Sequence, residues 1–225
     1  MSCSQKRPCD TIVSLTSLGE LTRHVSRRLG CCALIAVKQR VAGKSRLSGQ
    51  LGVQARVALV RSMLAQVLKA ATEAHTVRQV IVVSPERDMI AEDIPVLADS
   101  GQGLNAALTQ ARQALLDLGV RELLVLPADL PLVTAAEIDI LVRAGRSTGF
   151  AIAPDAADTG TNALCLATTQ SFQFQFGSDS KRRHIAAAAQ LGLVPQTVRL
   201  PGLEFDVDSP ADLQTMRDRA WAAQG

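Results

Sequence analysis

The chain has 225 residues and a formal net charge of +3, and it is 47% hydrophobic but only 3% aromatic, with no Tyr and one Trp. Aliphatic packing must build its core, and the aromatic surfaces on which a single-stranded nucleic acid stacks are missing. So small a positive excess implies no nucleic-acid partner, but it accommodates a small anionic substrate met by a local basic cluster.

Residues 1–30 mix Ser, Thr, Arg and Lys with short apolar pieces. They read as a flexible amino-terminal extension ahead of a single domain over 31–225. Cys31 to Val37 predicts the first strand, and Lys38 to Gly52 is basic and irregular. Val53 to Ala71 repeats apolar residues at helical spacing. Gln79 to Ser84, closed by Pro85, and Ile94 to Ala98 read as the next strands. Gly103 to Leu118 is an amphipathic helix with Gly119 in the stop position. Glu122 to Leu126 is the fourth strand, and Thr134-Ala135-Ala136-Glu137 is a capping box opening a helix to about Ala144. Phe150 to Pro154 and Asn162 to Ala167 predict strands, Ser180 to Leu191 a helix, and Thr197 to Leu200 an edge strand. Ser209-Pro210 supplies a cap and an N1 proline for a last helix reaching Trp221. This alternation predicts an α/β fold, a mostly parallel sheet with helices on both faces, as in a Rossmann-like three-layer α/β/α sandwich.

Five cysteines, Cys3, Cys9, Cys31, Cys32 and Cys165, form no C-x-x-C pair. Their odd number fits a reduced, cytoplasmic protein without structural disulfides. No apolar run reaches the roughly 20 residues that cross a bilayer, so no membrane role is expected.

The chemistry concentrates at predicted strand ends. Asp129 follows an apolar strand closed by Pro127, and ligands of open α/β sheets bind outside the carboxyl ends of the strands. A carboxylate there suits Mg²⁺, which takes oxygen ligands and bridges to phosphates; a turn or cap residue is the alternative. Phe205-Asp206-Val207-Asp208 offers a carboxylate pair at another expected strand end. Lys38, Arg40, Lys44 and Arg46 crowd the loop after the first strand, where they would meet a triphosphate or merely solvent. No Walker A spacing surrounds Gly43-Lys44-Ser45. Gly101-Gln102-Gly103-Leu104-Asn105 precedes a helix and could seat a base, ribose or phosphate, or simply turn the chain. Thr159-Gly160-Thr161-Asn162 and Phe176-Gly177-Ser178-Asp179-Ser180 pair glycines with hydroxyls, the second ahead of Lys181, Arg182, Arg183 and His184. The second, at a helix start, reads as a pocket for a carboxylate or phosphate, or else as an N-cap Ser180 followed by a solvated basic face. His184 by itself reads as structural, since no nucleophile accompanies it.

In order, Ala36-Val37-Lys38, Ala42 to Leu47, Gly103 to Leu108, Pro127 to Leu132, Thr161 to Leu164, Phe176-Gly177 with Ser180 and His184, and Asp206 to Leu213 resemble the CofC/FbiD guanylyltransferases of coenzyme F-420 biosynthesis. The likeness covers roughly residues 31–220. It implies a nucleotide-diphospho-sugar transferase fold of the MobA-like, GT-A kind. It also implies an enzyme joining GTP to 2-phospho-L-lactate, phosphoenolpyruvate or 3-phospho-D-glycerate with release of pyrophosphate. The acid would lie on Thr161, Gly177 and Ser180, and Mg²⁺ on Asp129 and the Asp206/Asp208 pair. Lys44, Arg46 and Asp129 would serve catalysis, and Lys38, Lys44, Gly103 and Asn105 the nucleotide. Gln39-Arg40 departs from the family, which often has a proline near the first Lys, and this leaves Lys38 less defined than Lys44. The partners expected are GTP and a small phosphorylated acid, with a homodimer left open. Two alternatives remain. One is another MobA-like nucleotidyltransferase of a molybdopterin or sugar cofactor pathway, although these usually carry a Gly-rich first loop. The other is a silent relative acting as a binding module.

Overall fold

The structure, a computed structural model, describes residues 30–37, 44–85, 87, 90–91, 93–98 and 102–222. Its strands are β1 (Cys31–Ala36), β2 (Val77–Ser84), β3 (Val96–Ala98), β4 (Glu122–Pro127), β5 (Phe150–Pro154), β6 (Thr161–Ala167) and β7 (Gln196–Thr197). Its helices are α1 (Val53–Glu73), α2 (Leu104–Asp117), α3 (Ala135–Thr148), α4 (Ser180–Gln190), α5 (Pro201–Glu204) and α6 (Pro210–Ala222), with a 3₁₀ turn at Ser45–Leu47. The proposed extension, apart from Gly30, lies outside the described residues, as do Lys38 and Arg40.

Among the described residues the sheet has seven strands in the order β3-β2-β1-β4-β6-β5-β7. Only β6 runs against the rest: β4 and β5 both pair with it antiparallel, and the other pairings are parallel. The sheet is therefore mixed, but mostly parallel as the alternation of elements predicts. Because β6 is reversed, its first residues, Thr161 and Asn162, lie at the edge where β1 and β4 end.

Apolar residues fill both faces, so side chains alternate into two cores. Ala33 and Ile35 of β1 pack with Leu64 and Val67 of α1 and Leu141 and Val142 of α3. Cys32 and Leu34 pack on the other face with Leu108 and Leu115 of α2, Ala188 of α4, Phe150 and Phe172. Strands buried on both faces read as continuous apolar runs, which is why β1 and β4 are clear in the sequence.

The sequence reading departs from the structure at three places. First, α3 continues past Ala144 to Thr148. Ser147 and Thr148 donate their hydroxyls back to Ala144 O at 2.8 and 3.2 Å, and the helix stops at Gly149 with φ 82°. Second, the expected edge strand at Thr197 to Leu200 pairs only as Gln196–Thr197, and Leu200 becomes the N-cap of α5, with Pro201 in its first turn. Third, Asp206 and Asp208 do not end a strand. Their segment is irregular and outside the sheet, and its Val207 N–H donates to Asp129 O at 3.4 Å.

Candidate active site

A third apolar cluster draws distant parts of the chain together. Leu47, Met63, Phe205, Val207 and Leu213 pack with one another, with Leu132 and Met216 at the margin. Leu47 lies three residues after Lys44, and Val207 immediately precedes Asp208. Burying this cluster therefore brings the basic loop to the second acidic segment. Lys44 takes a left-handed backbone, φ 58°, an uncommon conformation for a residue with a side chain.

The result is a shared cation position. Lys44 Nζ lies 2.6 Å from Asp129 Oδ2 and 2.6 Å from Asp208 Oδ1. The Lys44 side chain is 8% exposed, Asp129 20% and Asp208 53%, so the ammonium is more enclosed than either carboxylate. Burial alone would lower the Lys44 pKa, but the two carboxylates outweigh it and the ammonium is held above its ordinary value. Asp206 stands behind the pair. Burial, and then the charges of Asp129 and Asp208, push its carboxyl up to about 6. Asn162 Nδ2 reaches Asp206 Oδ1 at 3.4 Å and donates to Leu203 O at 3.0 Å, so the start of β6 is tied to α5 and the acidic segment.

Asp208 is presented by the cap of α6. Asp212 Oδ2 accepts the backbone N–H groups of Asp208 and Ser209 at 3.1 and 2.7 Å, and the Asp212 N–H approaches Ser209 Oγ at 3.3 Å. This is a capping box with Asp in the role of Glu. The serine and proline of the sequence signature thus fix the carboxylate just upstream.

Asp129 Oδ2 and Asp208 Oδ1 already face one cation. Mg²⁺ binds through one or two carboxylates plus substrate phosphates, and this donor pair meets that requirement. Among the described residues no group of three His, Cys, Asp or Glu side chains converges on a metal position, so Asp206 would have to shift to join as a third ligand. Arg46 is exposed in the 3₁₀ turn beside Lys44.

Across β6 lies the second half of the site. Thr161 is 9% exposed, and its Oγ1 lies 3.0 Å from His184 Nδ1. Gly177 takes φ +124°, open to glycine and strained for other residues, and a Cβ there would sit 3.4 Å from Arg183 Nη2. Ser180 is buried at the first turn of α4, while Asp179 in a left-handed backbone, rather than Ser180, is the N-cap. Asp179 makes no side-chain cap bond and instead pairs with Arg182 at 2.6 Å.

Gly103 caps α2 with φ +90°, and a Cβ there would meet open space, so the start of the helix is approachable. The Asn105 side chain is committed elsewhere. Its Oδ1 accepts the Phe176 N–H at 2.8 Å and its Nδ2 donates to Phe176 O at 3.1 Å. That clamp ties the glycine loop of α2 to the Phe176-Gly177 loop. This clamp is not visible in the sequence, nor are the bonds made by Asn162 and His184, because hydrogen bonds of this kind leave no charge or spacing pattern.

A family model for guanylyl transferases of the CofC-like kind matches residues 31–217. The chain is 40% identical over 192 residues to a phosphoenolpyruvate guanylyltransferase of Sphaerobacter thermophilus, covering 84% of this chain and 93% of that one. It is 39% identical to the protein of the same name from Rubrobacter xylanophilus, covering 80% and 90%. Among solved structures it resembles a Desulfovibrio desulfuricans G20 protein assigned to the nucleotide-diphospho-sugar transferases (TM-score 0.70, 18% identity, covering 83% of this chain and 85% of that one). It also resembles a 4-diphosphocytidyl-2C-methyl-D-erythritol synthase (TM-score 0.58, 15% identity, covering 84% and 98%). At that distance the likeness is one of fold, which is the MobA-like arrangement the sequence implies. With a family match over nearly all of the described chain and close relatives of one activity, the chain belongs to the CofC-like guanylyltransferase family.

Proposed function

We propose that this guanylyltransferase joins GTP to a small phosphorylated carboxylic acid in coenzyme F-420 biosynthesis, with phosphoenolpyruvate as the acid. The relatives named phosphoenolpyruvate guanylyltransferase support that choice of acid. The observation that carries the mechanism is the cation position between Asp129 and Asp208 at the sheet edge, with Thr161 at the same edge.

A phosphate oxygen of the acid attacks the α-phosphorus of GTP. One P–O bond forms, the bond from the α-phosphorus to the bridging oxygen breaks, and pyrophosphate leaves with the electron pair. Both reactants are anions, so charge repulsion and alignment dominate the barrier. Mg²⁺ on Asp129 with Asp208, and Asp206 as the further ligand, would neutralise phosphate charge and hold the triphosphate. Lys44 supplies a cation at that edge, Arg46 a second on the same loop, and Lys38 is assigned with them. Gly103 lets the start of α2 approach the nucleotide, and Asn105 holds the Phe176-Gly177 loop in place beside it. Thr161, Gly177 and Ser180 take the acid through hydroxyl and backbone donors at a helix start. No protein nucleophile is needed.

The test is pyrophosphate release with Mg²⁺, GTP and each of phosphoenolpyruvate, 2-phospho-L-lactate and 3-phospho-D-glycerate in turn. Turnover with phosphoenolpyruvate far above the other two is expected. Preference for another of the three corrects the acid, and no turnover with any of them sinks the reading.

A further inference from the structure

His184 sits one helical turn after Ser180, so both face inward from α4, and the ring is fully buried. Phe176 meets it edge-on at 4.8 Å between centroids, and Phe172 lies at 5.7 Å. The ring is therefore held in place, and both of its nitrogens are used. Nε2 lies 2.8 Å from the backbone N of Gln175, and Nδ1 lies 3.0 Å from Thr161 Oγ1.

The two contacts are not equivalent. A backbone N–H can only donate, so Nε2 must carry a lone pair. A neutral imidazole with a bare Nε2 has its proton on Nδ1. Burial, and then the neighbouring Arg183, lower the ring's pKa to about 4, so the neutral form is the one present near neutrality. Nδ1–H then donates to Thr161 Oγ1. One lone pair of that hydroxyl is filled, and its own proton must point elsewhere. The opposite tautomer would set two donors face to face at 2.8 Å and leave Thr161 to donate inward.

We propose that His184 is a positioning residue that fixes the Thr161 hydroxyl as a hydrogen-bond donor toward the acid substrate. This rests on the reading of Thr161 as an acid ligand. It adds a direction to that contact: the substrate atom at Thr161 must be an acceptor, as a carboxylate or phosphate oxygen is. The same ring holds the Gln175 N–H while Asn105 holds both backbone groups of Phe176, so the strap leading to Gly177 and the Thr161 hydroxyl are set together.

Nitrogen-15 spectra of histidine-labelled full-length protein near pH 7 test the tautomer directly. The chain has three histidines, so loss of one ring's signals in His184→Gln assigns it. A protonated Nδ1 with a bare Nε2 is expected, and the reverse overturns the proposal. Kinetics then separate positioning from packing. His184→Asn places an amide N–H near the Nδ1 position, whereas His184→Gln retains an acceptor near Nε2 and loses the donor to Thr161. With both variants folded by thermal melt, the KM for the acid should stay within about three-fold for Asn and rise about ten-fold or more for Gln, with the KM for GTP unmoved. Equal rises in both variants, or no rise in either while Thr161→Val raises the acid KM, overturn the positioning role alone. An acid KM unchanged in Thr161→Val overturns the acid-pocket reading itself. If His184→Gln does not fold, its companion variants assign the ring and the wild-type spectrum decides.

Discussion

At the scale of single residues, Asp129 faces Lys44 across 2.6 Å, and His184 is buried with both ring nitrogens in hydrogen-bond contact. Asp129→Asn keeps shape and removes the charge opposite Lys44, and pyrophosphate release should fall about 100-fold or more with the melting profile retained. Normal turnover would reduce Asp129 to a turn residue. His184 gives a pH signature in stability. Its pKa falls from 6.5 to about 4 on folding, so the folded ring refuses a proton that the unfolded chain accepts. Its contribution is complete above about pH 6.5 and is lost as pH falls toward 4, by up to roughly 3 kcal/mol. Asp206 acts with the opposite sign. Its carboxyl is raised from 3.8 to about 6, so its contribution is present at low pH and lost as pH rises through 6. Urea unfolding of the parent against His184→Asn isolates the histidine, and their difference should narrow steadily from pH 6.5 to 4. A difference that does not vary with pH rules out a buried neutral ring. Asp129 stood out as a candidate in the sequence because it places a formal charge just beyond an apolar run, and Lys44 because it belongs to the cluster of cations in the loop after the first strand. The Asn105 clamp did not, since its partner lies 71 residues away and an amide leaves no charge pattern.

At the scale of elements, the short helix α5 carries more than its length implies. Gly202 N donates to Glu137 Oε1 at 2.7 Å, and the other oxygen of Glu137 closes the capping box of α3 through the Thr134 N–H at 3.0 Å. A Cβ on Gly202 would come within 2.5 Å of Leu132 O and would also strike the Glu137 side chain. Gly202→Ala should therefore cost about 1–3 kcal/mol, as overpacking does, which is a fall in Tm of roughly 2–4 °C per kcal/mol in a chain of this size. Activity should drop as well, because Leu203 O anchors Asn162 beside Asp206. A thermal melt unchanged by this variant would remove α5 from the supports of the site. The capping box, the Ser209-Pro210 start and Gly119 were readable because local backbone chemistry dictates them. α5 was hidden by its four-residue length, and the reversal of β6 by the fact that side-chain alternation does not encode strand direction.

Over the whole molecule, β1 lies between two cores and contributes thiols to both. Cys31 and Cys165 share one face and Cys32 faces the other; all three are free and buried. Burial pushes the Cys32 thiol up to about 12. Hydrogen bonding to Cys165, and then burial, hold Cys31 well above its ordinary value. Neither is a ready thiolate, so alkylation at pH 8 followed by peptide mapping should leave Cys31, Cys32 and Cys165 unmodified until urea unfolds the chain. Rapid labelling of Cys32 would contradict the burial of β1. The reversed strand has a consequence of another kind. On one side of β6, Lys44, Asp129 and Asp208 are set by loops following strands β1 and β4 and by the cap of α6. On the other, the 155–160 loop is stapled by Asp158 to Lys181 at 2.6 Å and to Arg199 at 2.5 Å, and it opens directly onto Thr161. On the proposed reading, in which Thr161, Gly177 and Ser180 take the acid, exchanging that hairpin together with the start of α4 is expected to change acid selectivity, with the Asn105 clamp to Phe176 as the link that must be kept to the nucleotide side.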